Sequence, residues 1–249
     1  MRANDSDMCF HEVFGQRHVV LPVIHVSTEE QALRNVEIAR KAGADGVFLI
    51  NHLIMSDDLL AIHAAVCRRF AGWWIGVNCL DLDSATVFSR ISADVSGVWS
   101  DKAMIVEDRK DQPDAEAVGE ARKTSGWHGL YLGGVAFKYQ RRVDDVGAAA
   151  AIAARYMDVV TTSGPGTGHA ADVVKIHTMK KAIGDHPLAI ASGITPENIG
   201  DYLPLSDCYL VATGISRDDE NLDPERVRLL VERTHAYDGG MKGSSLPVG

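Results

Sequence analysis

With 249 residues, 46% of them hydrophobic and 24% charged, the chain has the length and composition of one large globular domain, not of a disordered or fibrous protein. A formal net charge of -9 argues against a nucleic-acid partner, which favours a basic face, but leaves room for a local basic pocket. No apolar run reaches the ~18–20 residues of a membrane span, and the polar start Met1-Arg2-Ala3-Asn4-Asp5 does not read as a signal peptide. A cytoplasmic protein with no membrane partner is expected.

Short apolar runs alternate with amphipathic stretches along the whole chain. Residues 1–17 are expected to pack across one end of the fold through Phe10, Val13 and Phe14. The predicted strands are 19–25, 46–51, 73–78, 95–100, 129–135, 159–163, 188–192 and 208–214. A helical stretch follows each one. The first carries Ala32, Val36, Ile38 and Ala39 at helical spacing and stops at Gly43. The others are 57–70, 84–91, 114–124, 144–155, 171–183, 196–203 and 223–235, with Thr195 capping the seventh and Pro196 at its first position. Residues 239–249, rich in Gly and Ser, read as a flexible tail. Eight such units predict an α/β chain, a single (β/α)8 TIM barrel over 1–249, since an open sheet would need two edge strands and the end strands are as apolar as the middle ones. In Trp73-Trp74, one ring should fill the barrel and the other pack under helices. Cys9, Cys67, Cys79 and Cys208 lack metal or redox spacing, so reduced, buried thiols are expected.

A TIM barrel builds its site at the carboxyl ends of its strands, which makes the polar residues there candidates. His25 ends the first strand and reads either as a rim histidine bonded to a carbonyl or as a general acid–base. Asn51 and Asn78 do not titrate and would orient a substrate or fix a loop. Asp83 reads as a helix cap, leaving Asp81 for the cleft. Asp101 beside Lys102 could be a proton-transfer group or a rim ion pair, and it opens a long charged loop. Lys138 could be a Schiff-base nucleophile or, more simply, a cation for a carboxylate or phosphate. Ser163 and Thr167 belong to a glycine loop, 161–169, whose N–H groups and hydroxyls could line an anion site. It lacks the Lys-Ser/Thr ending of a P-loop.

Ser192-Gly193-Ile194-Thr195 and Thr213-Gly214-Ile215-Ser216 each read as strand, glycine turn, then helix start. Two such turns after the last two strands are where this fold holds a phosphate. Ser192, Gly193, Thr195, Thr213, Gly214 and Ser216 are the expected phosphate ligands. No HExxH, GxSxG or EF-hand spacing occurs, so neither a metal nor another cofactor is expected.

Three of these segments together resemble the BtpA/SgcQ family of TIM-barrel proteins. Gly76-Val77-Asn78-Cys79-Leu80-Asp81-Leu82-Asp83 is similar to its third-strand segment G-V-N-x-L-x-x-D. Thr162-Ser163-Gly164-Pro165-Gly166-Thr167-Gly168 resembles its sixth-strand loop, and Ser192-Gly193-Ile194-Thr195-Pro196-Glu197-Asn198 its S-G-V-T-x-E-N turn. The likeness extends over most of 19–231. The chain departs from the pattern at Val26-Ser27-Thr28, where the family has a Pro-Gly-rich segment. It also departs at Ile50, where the family has glutamate, and at Gly134 and Tyr139, where it has aspartate and histidine. The resemblance implies a bacterial TIM barrel of a family associated with photosystem I biogenesis, without supplying a reaction.

These readings converge on an enzyme, expected to be a homo-oligomer, that acts on a phosphorylated sugar or nucleotide-like metabolite by isomerisation, lyase chemistry or N-glycosidic hydrolysis. Asp101, Lys138 and His25 would be its catalytic residues. The alternative is a non-catalytic assembly or regulatory factor that keeps the anion site as a sensor.

Overall fold

In a computed structural model, which describes residues 9–243, eight strands form a closed barrel in chain order. A short helix α1 (Phe10–Phe14) precedes β1 (Val19–Val26), α2 (Glu29–Lys41), β2 (Gly46–Asn51), α3 (Ser56–Arg69), β3 (Trp74–Asn78) and β4 (Gly97–Ser100). Then come α4 (Pro113–Ser125), β5 (Leu130–Gly134), α5 (Val146–Ala153), β6 (Val159–Thr162), α6 (Val173–Ile183), β7 (Leu188–Ala191), β8 (Cys208–Val211) and α7 (Pro224–Gly243). Every neighbouring pair is parallel, and β8 closes on β1 with Val19 beside Cys208.

Both faces of these strands are buried, which is why they read as continuous apolar runs instead of alternating ones. Val19, Leu21 and Val23 of β1 point inward with Phe48, Trp99, Leu132, Val159 and Leu210. Val20 and Ile24, in the opposite phase, pack under the helices with Val36, Val47 and Leu59. The barrel is plugged by aromatic rings. Trp74 meets Phe48 edge-on at 5.1 Å, Phe48 meets Trp99 at 5.7 Å, and Phe14 of α1 lies 5.3 Å from Trp74. Trp73 turns the other way and packs near Phe70, so the Trp-Trp pair divides between the two layers as the pleat requires.

Two expected helices are reduced to short 3-10 turns, Thr86–Ser89 and Ile199–Asp201. The first is rich in Ser and Thr and carries Val87, all poor helix formers, although Asp83 does accept from the N–H groups of Ala85 and Thr86. The second has Gly200 at its middle and Pro204 just beyond it, which leaves too little chain to propagate a helix. At the other extreme, α7 continues past the expected stop at 235 as far as Gly243. Of the tail 239–249, residues 244–249 lie outside the described residues, as do 1–8 of the N-terminal segment.

The expectation of four buried thiols fails at Cys9, which is exposed because it sits just before α1 at the edge of the fold. Cys67 is half-buried on α3, whereas Cys79 and Cys208 are buried; all four are free. Burial pushes the Cys67 and Cys79 thiols up to about 11, so neither is a ready nucleophile at neutral pH.

The aromatic plug leaves no room for a side chain at Gly97, where a Cβ would come within 2.3 Å of Trp74 Cζ2. Gly97→Ala is expected to cost about 1–3 kcal/mol through overpacking. An unchanged urea midpoint would mean that the ring moves aside freely.

Candidate active site

The carboxyl ends of the strands surround a cavity of about 330 Å³. Its floor is Val23, Ile50, Trp99, Ala191 and Leu210, and its polar walls include His25, His52, Asp101, Lys138, Thr167, Ser192 and Thr213. The barrel's period of two explains this set. His25 follows the inward residues Leu21 and Val23, His52 follows Phe48 and Ile50, and Asp101 follows Trp99. Seven strands thus deliver polar groups to one small space.

The groups perturb one another. The His25 and His52 rings stack with centroids 4.7 Å apart. Burial, helped by the positive charges of His52 and Lys138, lowers His25 to about 4, so its imidazole is neutral at pH 7. Burial lowers His52 as well. Asp101 moves the opposite way: burial raises its carboxyl above the ordinary value despite a 3.0 Å hydrogen bond from Asn78 Nδ2 and the nearby Lys138 charge. A carboxyl that gives up its proton less readily than usual and a neutral imidazole therefore share one cavity.

Lys138 is held by its backbone and its tip. Its N–H donates to Ser163 Oγ at 2.8 Å, and Nζ reaches Thr167 Oγ1 at 3.3 Å across the mouth. Ser163 is fully buried, and its carbonyl accepts from Lys175 Nζ at 2.8 Å; the same ammonium bonds the Ala136 carbonyl. Desolvation lowers Lys175 to about 8. Ser163 therefore positions Lys138 and does not face the cavity.

Position 134 explains one departure from the family pattern. A Cβ on Gly134 would lie 2.0 Å from the Asp101 carbonyl oxygen, so an aspartate does not fit there while the β4 loop takes its present course. Here the acidic group of the cavity comes from the end of β4 instead. Likewise Ile50, in place of glutamate, forms part of the floor.

Asn51 and Asp81 are spent on the loops. Asn51 Nδ2 donates to Asp81 Oδ1 at 2.6 Å and to the Ile54 carbonyl, while its Oδ1 accepts from the Leu80 N–H. Asp81 also takes hydrogen bonds from Ser56, which outweigh its desolvation and hold its carboxyl below the usual range. Asn51 has the helix-facing phase of Val47 and Leu49; the inward residue is its neighbour His52, which that alternation would have singled out in the sequence.

The two glycine turns touch each other. A Cβ on Gly214 would meet the Ile194 carbonyl at 1.9 Å, and one on Gly193 would meet the His169 carbonyl at 2.2 Å. Glycine at these positions lets turn pack on turn, which differs from the expected approach of a ligand. Thr195 N–H is taken by Asn198 Oδ1, and Thr195 Oγ1 accepts from the N–H groups of Glu197 and Asn198. Ser216 Oγ donates to the Ala212 carbonyl. The N–H groups of Gly193, Ile194, Thr213 and Gly214 have no partner among the described residues. Only 3-10 turns follow, so an anion here would be held by those N–H groups with little help from a helix dipole.

A second cavity of about 380 Å³ adjoins the first, sharing His25, Thr167 and Thr213 and walled by residues 217–222. Among the described residues no group of three or more His, Cys, Asp or Glu is placed to hold a metal ion, and no helix is long and apolar enough to cross a membrane.

The BtpA family model matches residues 138–236, from Lys138 into α7. That is the family the sequence motifs resemble; the third-strand motif at 76–83 lies outside the matched stretch. No curated protein matches the sequence. Solved structures with the same fold include phosphoribosyl anthranilate isomerase from Thermus thermophilus, at 16% identity over 88% of this chain and 99% of that one, with a TM-score of 0.59. Another is (S)-3-O-geranylgeranylglyceryl phosphate synthase from Thermoplasma acidophilum in complex with sn-glycerol-1-phosphate, at 16% identity over 90% and 98%, with a TM-score of 0.63. A third is the tryptophan synthase alpha subunit from Legionella pneumophila, at 11% identity over 88% and 93%, with a TM-score of 0.64. At these identities the likeness is one of fold.

Because His25 is held neutral in the fold, its contribution to stability is fully present above pH 6.5 and is lost as the pH falls towards 4. The stability difference between the parent and His25→Gln should therefore shift against the parent on going from pH 7 to pH 4.5. Urea midpoints at both values check this; a constant difference would mean that His25 is not desolvated.

Proposed function

We propose that the protein is an enzyme that uses acid–base chemistry on a small phosphorylated metabolite bound in the mouth of the barrel. The observation that carries this reading is one cavity in which Asp101 is pushed up, His25 is pushed down, and Lys138 supplies a positive charge. Proton transfer is most efficient when the transferring group is tuned toward the working pH, and the raised Asp101 moves in that direction, while the lowered His25 stays neutral beside it. Asp101 would move the proton, with Asn78 fixing its carboxyl through the bond to Oδ1. Neutral His25 would donate a hydrogen bond to a substrate oxygen or take up a proton from it. Lys138 would hold the negative charge that develops on an enolate or ring-opened oxygen.

The unpartnered N–H groups of Gly193, Ile194, Thr213 and Gly214 would take the phosphate, alongside the Thr213 side chain at the cavity wall. The comparisons support the substrate class, since the fold relatives include a phosphoribosyl anthranilate isomerase and a synthase bound to sn-glycerol-1-phosphate. Isomerisation, lyase chemistry and N-glycosidic cleavage each use a proton-transfer group, which Asp101 would supply.

A second reading, an assembly factor, draws on exposed apolar residues at the same rim, Leu53 at 79% and Met55 at 62% exposure. In that case Leu53→Ser with Met55→Ser would abolish function while Asp101→Asn would not.

Inorganic phosphate should raise the melting temperature of the protein by binding linkage, and Lys138→Met should diminish the rise. Gly193 is a poor probe of this, because any side chain there displaces residues 169–170. With a substrate drawn from a panel of sugar and nucleotide monophosphates, Asp101→Asn should lower kcat by ~10²–10⁴ with the fold retained. A melting temperature indifferent to phosphate, or normal turnover by Asp101→Asn, would refute the reading.

A further inference from the structure

The floor of the mouth cavity carries polar atoms that nothing in the protein satisfies. Trp99 is 5% exposed and lines the cavity, yet its indole Nε1 has no hydrogen-bond partner. Ser192, on the opposite wall after β7, has a buried hydroxyl that is also unpartnered. Its backbone adopts φ 108°, a conformation that residues other than glycine rarely hold. Thr161, two residues beyond the inward Val159 on β6, adds a third orphaned hydroxyl inside the barrel. A buried polar atom left unpaired is destabilising, and native proteins carry few of them. Here the residues that carry two of them, Trp99 and Ser192, line one cavity, beside Asp101 and Lys138.

We infer that this floor is a subsite for the oxygen-bearing carbon chain of the ligand, which makes the ligand a small sugar or polyol phosphate. The inference rests on the anion-binding reading above and refines it. The indole N–H only donates, so it calls for an acceptor, a carbonyl or hydroxyl oxygen. The Ser192 hydroxyl donates or accepts and suits a neighbouring hydroxyl. Ile50, Leu210 and Ala191 flank them with apolar surface for the carbon chain. Phe137 packs edge-on against Trp99 at 6.1 Å, and the Lys138 ammonium lies 5.8 Å from the Phe137 centroid.

Isothermal titration of the full-length protein with inorganic phosphate, D-ribose 5-phosphate and adenosine monophosphate tests the assignment. Trp99→Phe keeps an aromatic ring against Phe48 and Phe137 and removes only the unpaired N–H side; Ser192→Gly removes the hydroxyl and relieves the positive φ. Ribose 5-phosphate should bind the parent at least about tenfold more tightly than phosphate, and each variant should lose about three- to tenfold for the sugar phosphate while phosphate binding stays the same. If phosphate binds but ribose 5-phosphate binds no better, the floor assignment is wrong and the anion site stands. If adenosine monophosphate binds more tightly than ribose 5-phosphate, the sugar class is wrong. Equal losses for both ligands in the variants would mean that the floor acts through the fold, which also overturns the assignment. Binding of none of the three would remove the anion site and the subsite together.

Discussion

A closed barrel of parallel strands imposes a strict alternation, because every second side chain must enter an interior that has no other exit. Each strand's inward series ends at the same rim, so the last inward residue of several strands reaches a common space. His25, His52, Asp101 and the Ser192–Gly193 turn come together in this way, from strands far apart in sequence. The interior beneath them is sealed by Phe48, Trp74 and Trp99, so the mouth is a cup over a mostly apolar floor and not a channel.

Burial in this cup sets the electrostatics of its polar rim. Desolvation is the leading cause of the shifts at His25, His52 and Asp101, and it acts in opposite directions on base and acid. Hydrogen bonds then act locally: Asn78 restrains Asp101, while Ser163 and Thr167 hold Lys138 at either end. Lys175 stands behind this arrangement, tying the carbonyls of Ala136 and Ser163 together from α6. A rigid scaffold of this kind keeps catalytic groups in place on loops that would otherwise wander.

Close backbone contacts decide much of the rest. The Asp101 carbonyl pressed on Gly134 excludes a side chain at that position, and the carboxylate of the cavity is supplied one strand earlier. The contacts of Gly193 with residues 169–170 and of Gly214 with Ile194 weld the sixth, seventh and eighth loops into one rim. Of the residues whose N–H groups stay unpaired there, Gly193 and Thr213 line the cavity.

Strand number, order and class were legible in the sequence because a doubly buried strand must be apolar throughout and a surface helix must be amphipathic; these are local rules. So was the division of Trp73 from Trp74, which follows from the pleat. Where local propensity was weak, as at 84–91 and 196–203, packing needed only short 3-10 turns and the expected helices did not form. Within the site, His25, Asp101 and Lys138 could be named from their places at strand ends, and alternation would have preferred His52 to Asn51. Which polar groups were spent on loops, which glycines served backbone contact, and which buried atoms were left without a partner depended on approaches between segments distant in the chain. Those distances exist only once the barrel has closed, so the tertiary structure alone decided them.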